Sequence, residues 1–232
     1  MPTSGVTSIN ATRDVIVRRA LRLTGAFAST DIPRPEQLND AISVLNSMLK
    51  TWSTIGFLWL RKFVEVPMVA GQATYTIGPA TVPPMDRPTH IFNVTRKTAD
   101  GYEVSIEHES RSGYMAIPNK TTVGVPVKVY YDPQTLNGTL HVWPVPTAGT
   151  TDVLVLDVDR QIDVMTASVD EFDLPAHWVE VLSHSLAARL APEYGMPLGE
   201  RRVLAEEATA LFQSVVNDDR DMSSVFFQVR TS

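Results

Sequence analysis

The apolar residues of this chain change their spacing twice, and this change constrains the fold more than any other feature of the sequence. They recur every three or four residues at first, alternate with polar residues between about 57 and 165, and return to helical spacing after Asp170. Because helices repeat every 3.6 residues and strands every two, this order predicts helices, then strands, then helices. We therefore expect an α+β protein whose helical part is divided in sequence by a β-rich insertion.

Two helices are predicted in the first part of the chain. Thr12 or Asn10 can cap the first helix, and Gly25 can end it. The second helix follows the PRPE turn, with Pro35 in its first turn, and Gly56 can end it. The predicted core stripes are Ile16, Ala20 and Leu23 in the first helix, and Leu38, Ala41, Ile42, Leu45, Leu49 and Trp52 in the second.

The middle of the chain consists of short β-branched or aromatic runs separated by Gly, Pro, Asn and Asp. The Asp-Gly pair within 99–101 and the Asn-Gly pair within 136–138 tolerate the positive φ angles of tight hairpins. Most of the prolines also lie here, which favours short edge strands and long loops. We expect antiparallel hairpins that form a small sandwich or an open barrel. The predicted strands lie in LRKFVEV, ATYTIG, HIFNVTRK, YEVSIEHE, VPVKVYY, TLHVWPV and DVLVLDVD.

Two further helices are predicted in LPAHWVEVLSHSLAARLAPEYG, where Pro175 lies in the first turn, and in LGERRVLAEEATALFQSVVNDD. Two helices at each end would leave apolar stripes uncovered, so we expect all four to pack as one antiparallel bundle. The predicted domains are a discontinuous helical bundle of 1–56 and 166–221, an inserted β-rich domain of 57–165, and an extended C-terminal arm of 222–232.

Charge and composition argue against several classes of protein. Lys and Arg number 20 against 26 Asp and Glu, and the net charge of −6 gives no broad positive field for nucleic acid. The sequence has no cysteine, which excludes disulfides, thiolate nucleophiles and cysteine-ligated metals. Its longest apolar runs, such as IGFLWL, are shorter than the ~20 residues of a membrane helix, and no signal-peptide pattern is present. We expect no membrane anchor.

His177, Glu180 and His184 share one face of the third predicted helix, at a spacing that could hold a metal ion. The predicted core stripe lies on the other side of this helix, and the outer face continues into Ala187 and Ala191. Small residues beside polar ones are typical of a surface that another subunit approaches closely. We therefore predict a subunit contact and no metal site, with a metal-dependent enzyme as an alternative.

The sequence contains no GxSxG elbow, no phosphate-binding glycine loop and no HExxH pair. We accordingly predict no enzyme activity, no catalytic residue and no cofactor. The alternative is a protein that binds glycans or degrades cell walls, because the β-rich region carries aromatic residues on which sugars could stack. These residues are Tyr102, Tyr114, Tyr130, Tyr131 and Trp143.

Four segments carry a resemblance to a known family: TWSTIGFLWLR at 51–61, EVPMVAGQATYTIGP at 65–79, DRPTHIFNVT at 86–95, and LPAHWVEVLSHSLAARLAPEYGMP at 174–197. In this order and spacing they resemble the head-to-tail adaptors of short-tailed bacteriophages, which are also called tail accessory or packaged-DNA stabilisation proteins. The AGQATYTIGP hairpin and the helix that ends in SLAARLAPEYG are the most specific parts of the match.

The resemblance implies a structural virion protein of the phage neck, assembled in the host cytoplasm. Such a protein docks as a ring of twelve copies on the portal protein, extends and helps close the DNA channel after packaging, and provides the platform for tail nozzle or tail fibre proteins. Packaged double-stranded DNA would pass through the channel without sequence-specific binding. The net negative charge is consistent with such passage, because each contact to phosphate would add an electrostatic hold.

Contact surfaces for this role can be assigned from the residues. A closed ring needs two different, complementary surfaces on each subunit, and the first and third helices each offer one. The C-terminal arm is apolar and strand-prone, so we expect it to dock on the portal or a neighbouring subunit, for instance by adding a strand. The candidate ring-contact or channel residues are Arg18, Arg19, Arg22, His177, Glu180, His184, Ala187 and Ala191, and the candidate arm contacts are Val225, Phe226, Phe227 and Val229.

Overall fold

The computed structural model describes residues 11–28, 30–81, 84–147 and 151–219. These residues form both helices and antiparallel sheets, so the α+β class predicted from the change of spacing is confirmed. The predicted arm, with its four candidate contact residues, lies outside the described ranges.

The described residues contain five α-helices, one short 3-10 helix at Leu58–Leu60, and ten strands. The α-helices are α1 (Arg13–Leu23), α2 (Pro35–Trp52), α3 (Arg111–Met115), α4 (Trp178–Leu190) and α5 (Leu198–Asp218). The strands are β1 (Arg61–Pro67), β2 (Thr74–Ile77), β3 (Ile91–Lys97), β4 (Glu103–Ser105), β5 (Glu107–His108), β6 (Val123–Gly124), β7 (Lys128–Pro133), β8 (Gly138–Trp143), β9 (Val145–Pro146) and β10 (Val153–Asp159).

The chain divides into two compact units, and the helical one is discontinuous in sequence. It takes the residues up to Trp52, the short stretch Phe57–Trp59, and the residues from Ile162 onward. The β-rich unit takes Ser53–Gly56 and Leu60–Gln161.

Helix α4 lies at the centre of the helical unit, where it contacts α1, α2 and α5. Its first residue, Trp178, is fully buried, with its ring centroid 5.6 Å from Trp52, 4.7 Å from Phe57 and 5.9 Å from Phe212. This aromatic cluster joins segments that are far apart in sequence. Edge-to-face and tilted contacts of this kind add to the stabilisation from apolar burial.

The β-rich unit contains two four-stranded sheets, ordered β1-β10-β3-β4 and β2-β8-β7-β5, and a separate β6-β9 pair. The inward side chains of both four-stranded sheets share one apolar core, so the sheets form a sandwich, one of the two predicted forms. This core includes Val66, Val94, Leu154 and Leu156 from the first sheet, and Tyr75, Ile77, Val129, Leu140 and Val142 from the second.

Both predicted hairpin turns are present. Gly101, with φ of +85°, lies in the turn between β3 and β4. The loop between β7 and β8 ends at Asn137 and Gly138 begins β8, but neither residue has the positive φ that the Asn-Gly pair predicted. The predicted antiparallel pairing is confirmed for the longer strand pairs, whereas β5 pairs with β7 and β6 with β9 in parallel, which was not predicted. Each of these parallel pairs covers only two residues, which is too short to leave a signal in the alternation of apolar residues.

Candidate subunit interface

Helix α1 presents three of its four arginines on the side opposite its buried residues, whereas Arg13 pairs with Asp14 and is largely buried. Ile16, Val17, Ala20 and Leu21 are buried, whereas Arg19 and Arg22 are exposed and Arg18 is partly buried. Arg19 and Arg22 therefore point away from the core of the helical unit, and their role as a ring-contact or channel face stays a prediction.

The structure brings this arginine face beside the polar residues of α4. Arg19 Nη2 lies 3.9 Å from Glu180 Oε1, and the two side chains remain 55% and 61% exposed. An exposed pair at this distance contributes little to folding, typically 0–1 kcal/mol as an order of magnitude. The two side chains therefore remain available to a partner.

The polar trio on α4 lies on the outside of the helix as predicted, but its geometry is not that of a metal centre. His177 occupies the N-cap position and is exposed, and the Nδ1 atom of His184 lies 3.0 Å from the backbone oxygen of Glu180. Within the described ranges, no group of three or more His, Asp or Glu side chains could hold a metal ion.

Ala187 and Ala191 do not belong to this outer face. Both are fully buried within the chain, so the prediction that they are open to another subunit was wrong. Because α4 contacts three other helices, more than one of its sides is covered. The helical-wheel prediction allowed for only one core side, and these two small residues were assigned to the surface for that reason.

Helix α5 carries an exposed surface that the sequence reasoning missed. It is 21 residues long, yet only Leu204 and Ala208 are buried, and its main contact is with α4. Leu198 and Val203 are 58% and 55% exposed. The apolar residues of α5 are spread around the helix instead of forming a narrow stripe. This pattern could have predicted the exposed surface, because one packing partner covers only one side of a helix.

Two open grooves border α5. The larger, of about 430 Å³, has mainly apolar walls and is lined by His184 of α4 and by Glu207, Ala210, Leu211 and Ser214 of α5. The smaller, of about 240 Å³, lies among α2, α4 and α5, and Trp52 and Phe212 form part of its wall. Unfilled apolar grooves along an under-buried helix are typical of a surface that binds another protein.

The five aromatic residues considered for glycan binding do not form one platform. Tyr131 lies in the sandwich core, Tyr102 is exposed in the β3–β4 turn, and the indole N–H of Trp143 donates to the Asn119 carbonyl at 2.8 Å. Only Tyr114 and Tyr130 come together, with ring centroids 5.4 Å apart.

These two tyrosines stack with His141, whose ring centroid is 4.9 Å from Tyr114 and 5.6 Å from Tyr130. Burial raises the pKa of both tyrosines and lowers the pKa of His141. The three rings contact one another at centroid distances of 4.9–5.6 Å, which indicates a local packing cluster.

None of the helices in the described part of the chain is both long and apolar enough to span a membrane.

The sequence matches the family model described as SU10 adaptor protein over residues 11–230, which is nearly the whole chain and includes both compact units. A search of curated proteins gave no match. The family match confirms the resemblance to phage head-to-tail adaptors that the four sequence segments indicated. The chain therefore belongs to the SU10 adaptor protein family and is a phage adaptor, a structural protein of virion assembly.

Proposed function

We propose that this protein docks as a dodecameric ring on the portal, extends and helps close the DNA channel after packaging, and provides the platform on which tail nozzle or tail fibre proteins attach. The family match over residues 11–230 is the observation that carries this proposal. Membership of a structural adaptor family, together with the lack of catalytic sequence motifs, supports a role without catalysis.

The helical unit is the part we propose to form the ring, as an antiparallel bundle of 1–56 and 166–221, which the β-rich domain of 57–165 divides in sequence. A closed ring repeats one head-to-tail contact, which requires two different exposed surfaces on each copy. The arginine face of α1 and the under-buried α5 are two such surfaces.

The C-terminal arm of 222–232 is proposed to bind the portal or a neighbouring copy through Val225, Phe226, Phe227 and Val229. Deletion of 222–232 is expected to leave the remaining chain folded and to weaken its binding to portal rings. A second variant keeps the full length of the chain and replaces the four apolar residues with Ser. This variant should bind portal rings as weakly as the deletion does. Portal binding equal to that of the full chain in both variants would overturn the role of the arm.

The role of the assembled ring can be tested in phage heads that are packaged in the absence of this protein. Such heads are expected to lose DNA and to accept no tails, because the channel below the portal is neither extended nor closed. Addition of the purified protein should restore both DNA retention and tail attachment. Heads that keep their DNA and bind tails without this protein would contradict the proposal.

A further inference from the structure

The exposed side of α5 carries a short stripe formed by Val203, Glu206, Glu207 and Ala210. These residues follow one another at intervals of three and four, so they share one helical face. Neither carboxylate forms an ion pair with any residue in the described ranges. Both carboxylates are exposed to solvent within a single copy of the chain.

The outward face of α1 has a matching arrangement of opposite charge. It consists of Val15, which is 56% exposed, together with Arg18, Arg19 and Arg22. Arg22 forms no ion pair with the described residues, and the contact of Arg19 with α4 is long and exposed. This face therefore also lacks a strong partner within one copy.

The two faces correspond position by position. Each begins with an exposed valine, which is followed three and four residues later by two adjacent like charges, basic on α1 and acidic on α5. Laid side by side in either direction, the helices would bring the arginine pair next to the glutamate pair. Charge complementarity of this kind selects a partner and fixes its register more than it adds affinity.

A single chain does not bring these faces together. Helices α1 and α5 each make their principal contact in the helical unit with α4, and no ion pair joins α1 to α5 within the described ranges. The complementary faces of one chain are thus available to two different neighbours, as a heterologous head-to-tail contact requires.

We propose that the arginine face of α1 in one copy docks on the acidic stripe of α5 in the next copy. The groove of about 430 Å³ beside the stripe, lined by His184, Glu207 and Ala210, receives the Val15 side chain of that neighbour. Repetition of this contact closes the ring, and in this respect the inference rests on the proposed function. Because the ion pairs lie near the surface, salt weakens the contact.

Engineered cysteines give a direct test, because the chain has no cysteine of its own. Val15→Cys combined with Ala210→Cys in one chain reports the antiparallel docking that places Val15 in the groove beside Ala210. Val15→Cys combined with Val203→Cys reports parallel helices, in which Val15 would lie away from the groove. A disulfide forms only when the two Cα atoms approach to within about 7 Å. We expect the first pair, and not the second, to give a ladder of covalent oligomers on oxidation in the presence of portal rings. The matched control combines Val203→Cys with Ser43→Cys on the exposed side of α2. After oxidation, this control protein should run as a monomer when it is denatured without a reducing agent.

The outcomes separate this inference from the proposed function. Portal binding without a ladder from the Val15→Cys and Ala210→Cys pair overturns the proposed α1–α5 contact and leaves the adaptor role intact. A ladder without portal binding supports the contact and counts against the adaptor role. Absence of both overturns both proposals.

Charge reversal supplies a second measurement that does not depend on disulfide geometry. Arg19→Glu with Arg22→Glu, or Glu206→Lys with Glu207→Lys, should each lower self-association about tenfold, because attraction becomes repulsion. An equal mixture of the two reversed chains should restore association, because one contact keeps the original arginine and glutamate faces and the next pairs the two reversed faces. Arg34→Glu and Glu36→Lys, which are exposed at the start of α2, serve as controls and should change nothing. Unchanged association of either reversed chain by itself would contradict the proposal.

Discussion

At the scale of single residues, the β-rich unit contains a fully buried carboxylate, that of Asp159. Its carboxylate has no solvent exposure, accepts hydrogen bonds from the amides of Thr89 at 2.8 Å and His90 at 2.7 Å, and lies 2.9 Å from His90 Nδ1. The carboxylate thus ties the end of β10 to the residues before β3. The alternating VLVLDVD pattern predicts a strand there but gives no indication of this contact.

Asp159→Ala is expected to lower the free energy of unfolding of the β-rich unit by about 2 kcal/mol, because two partly buried amides lose their acceptor. Asp159→Asn keeps one acceptor oxygen and should cost less. Urea denaturation followed by near-UV circular dichroism measures both effects. Equal losses for the two variants would show that the carboxylate oxygens are not the acceptors that matter.

His141 makes the stability of the same unit depend on pH. Burial lowers the pKa of His141 from its ordinary value of 6.5, and a smaller opposing effect comes from Asp132. Its Nδ1 atom is buried without a hydrogen-bond partner among the described residues. The folded state therefore disfavours the protonated imidazole.

Since the unfolded chain takes up this proton more readily, stability should be highest above pH 6.5 and should fall as the pH drops below it. Burial also lowers the pKa of His108, which acts in the same direction. His141→Phe keeps the ring stack and should remove part of the pH dependence, with the remainder due to His108. Denaturant midpoints measured above and below pH 6.5 test this, and a protein that gains stability on acidification would contradict it.

At the scale of single elements, the β7–β8 hairpin depends on the absence of a side chain at Gly138. A Cβ atom at this position would overlap the ring and hydroxyl of Tyr131, which is buried and donates to the Pro88 carbonyl at 2.9 Å. Gly138→Ala should therefore destabilise the β-rich unit by about 1–3 kcal/mol through overpacking.

The control for this prediction is Gly101→Ala in the β3–β4 turn. Gly101 has φ of +85°, but a Cβ atom there meets nothing within 4 Å, so only backbone strain of about 1–2 kcal/mol is expected. Thermal unfolding of both variants gives the comparison. Tyr131→Phe combined with Gly138→Ala should recover part of the loss, because the overlapping hydroxyl is removed.

Helix α5 depends on a single aromatic side chain for much of its attachment. The ring of Phe212 lies 5.1 Å from Trp52 and 5.9 Å from Trp178, measured between centroids, whereas the rest of the helix buries only Leu204 and Ala208. Phe212→Ala should cost about 3 kcal/mol.

The same substitution should speed hydrogen exchange of the α5 amides far more than that of α4 amides, because α4 keeps its contacts with α1 and α2. Leu198→Ala, at a residue that is 58% exposed, is the control and should have little effect on either helix. Full protection of α5 in the Phe212→Ala variant would show that the helix is held by other contacts.

The elements themselves were largely predictable, because each depends on local sequence periodicity. The stop at Gly25 agrees with its φ of +72°, and the start of α2 at Pro35 agrees with the preference of proline for the first turn. Contacts between elements were less predictable. The burial of Ala187 and Ala191 and the short parallel strand pairs arise from packing between distant segments, which spacing along one segment does not contain.

At the scale of the whole molecule, the distribution of charge matters more than its total. The net charge is −6, yet α1 carries four arginines and one aspartate, whereas the exposed stripe of α5 carries two glutamates. The sequence predicted the arginine face and the family, because both rest on local residue patterns. It did not predict the acidic counterpart on α5, because the exposure of that stripe becomes apparent only when the partners of α5 are known.

The central claim is that this chain is an adaptor that assembles on a portal. The most direct test is native mass spectrometry of purified portal rings with and without an excess of this protein. We expect each dodecameric portal to gain twelve copies, with few intermediate species, because each bound copy offers a contact surface to the next. A protein that stays monomeric and adds no mass to the portal would contradict the account.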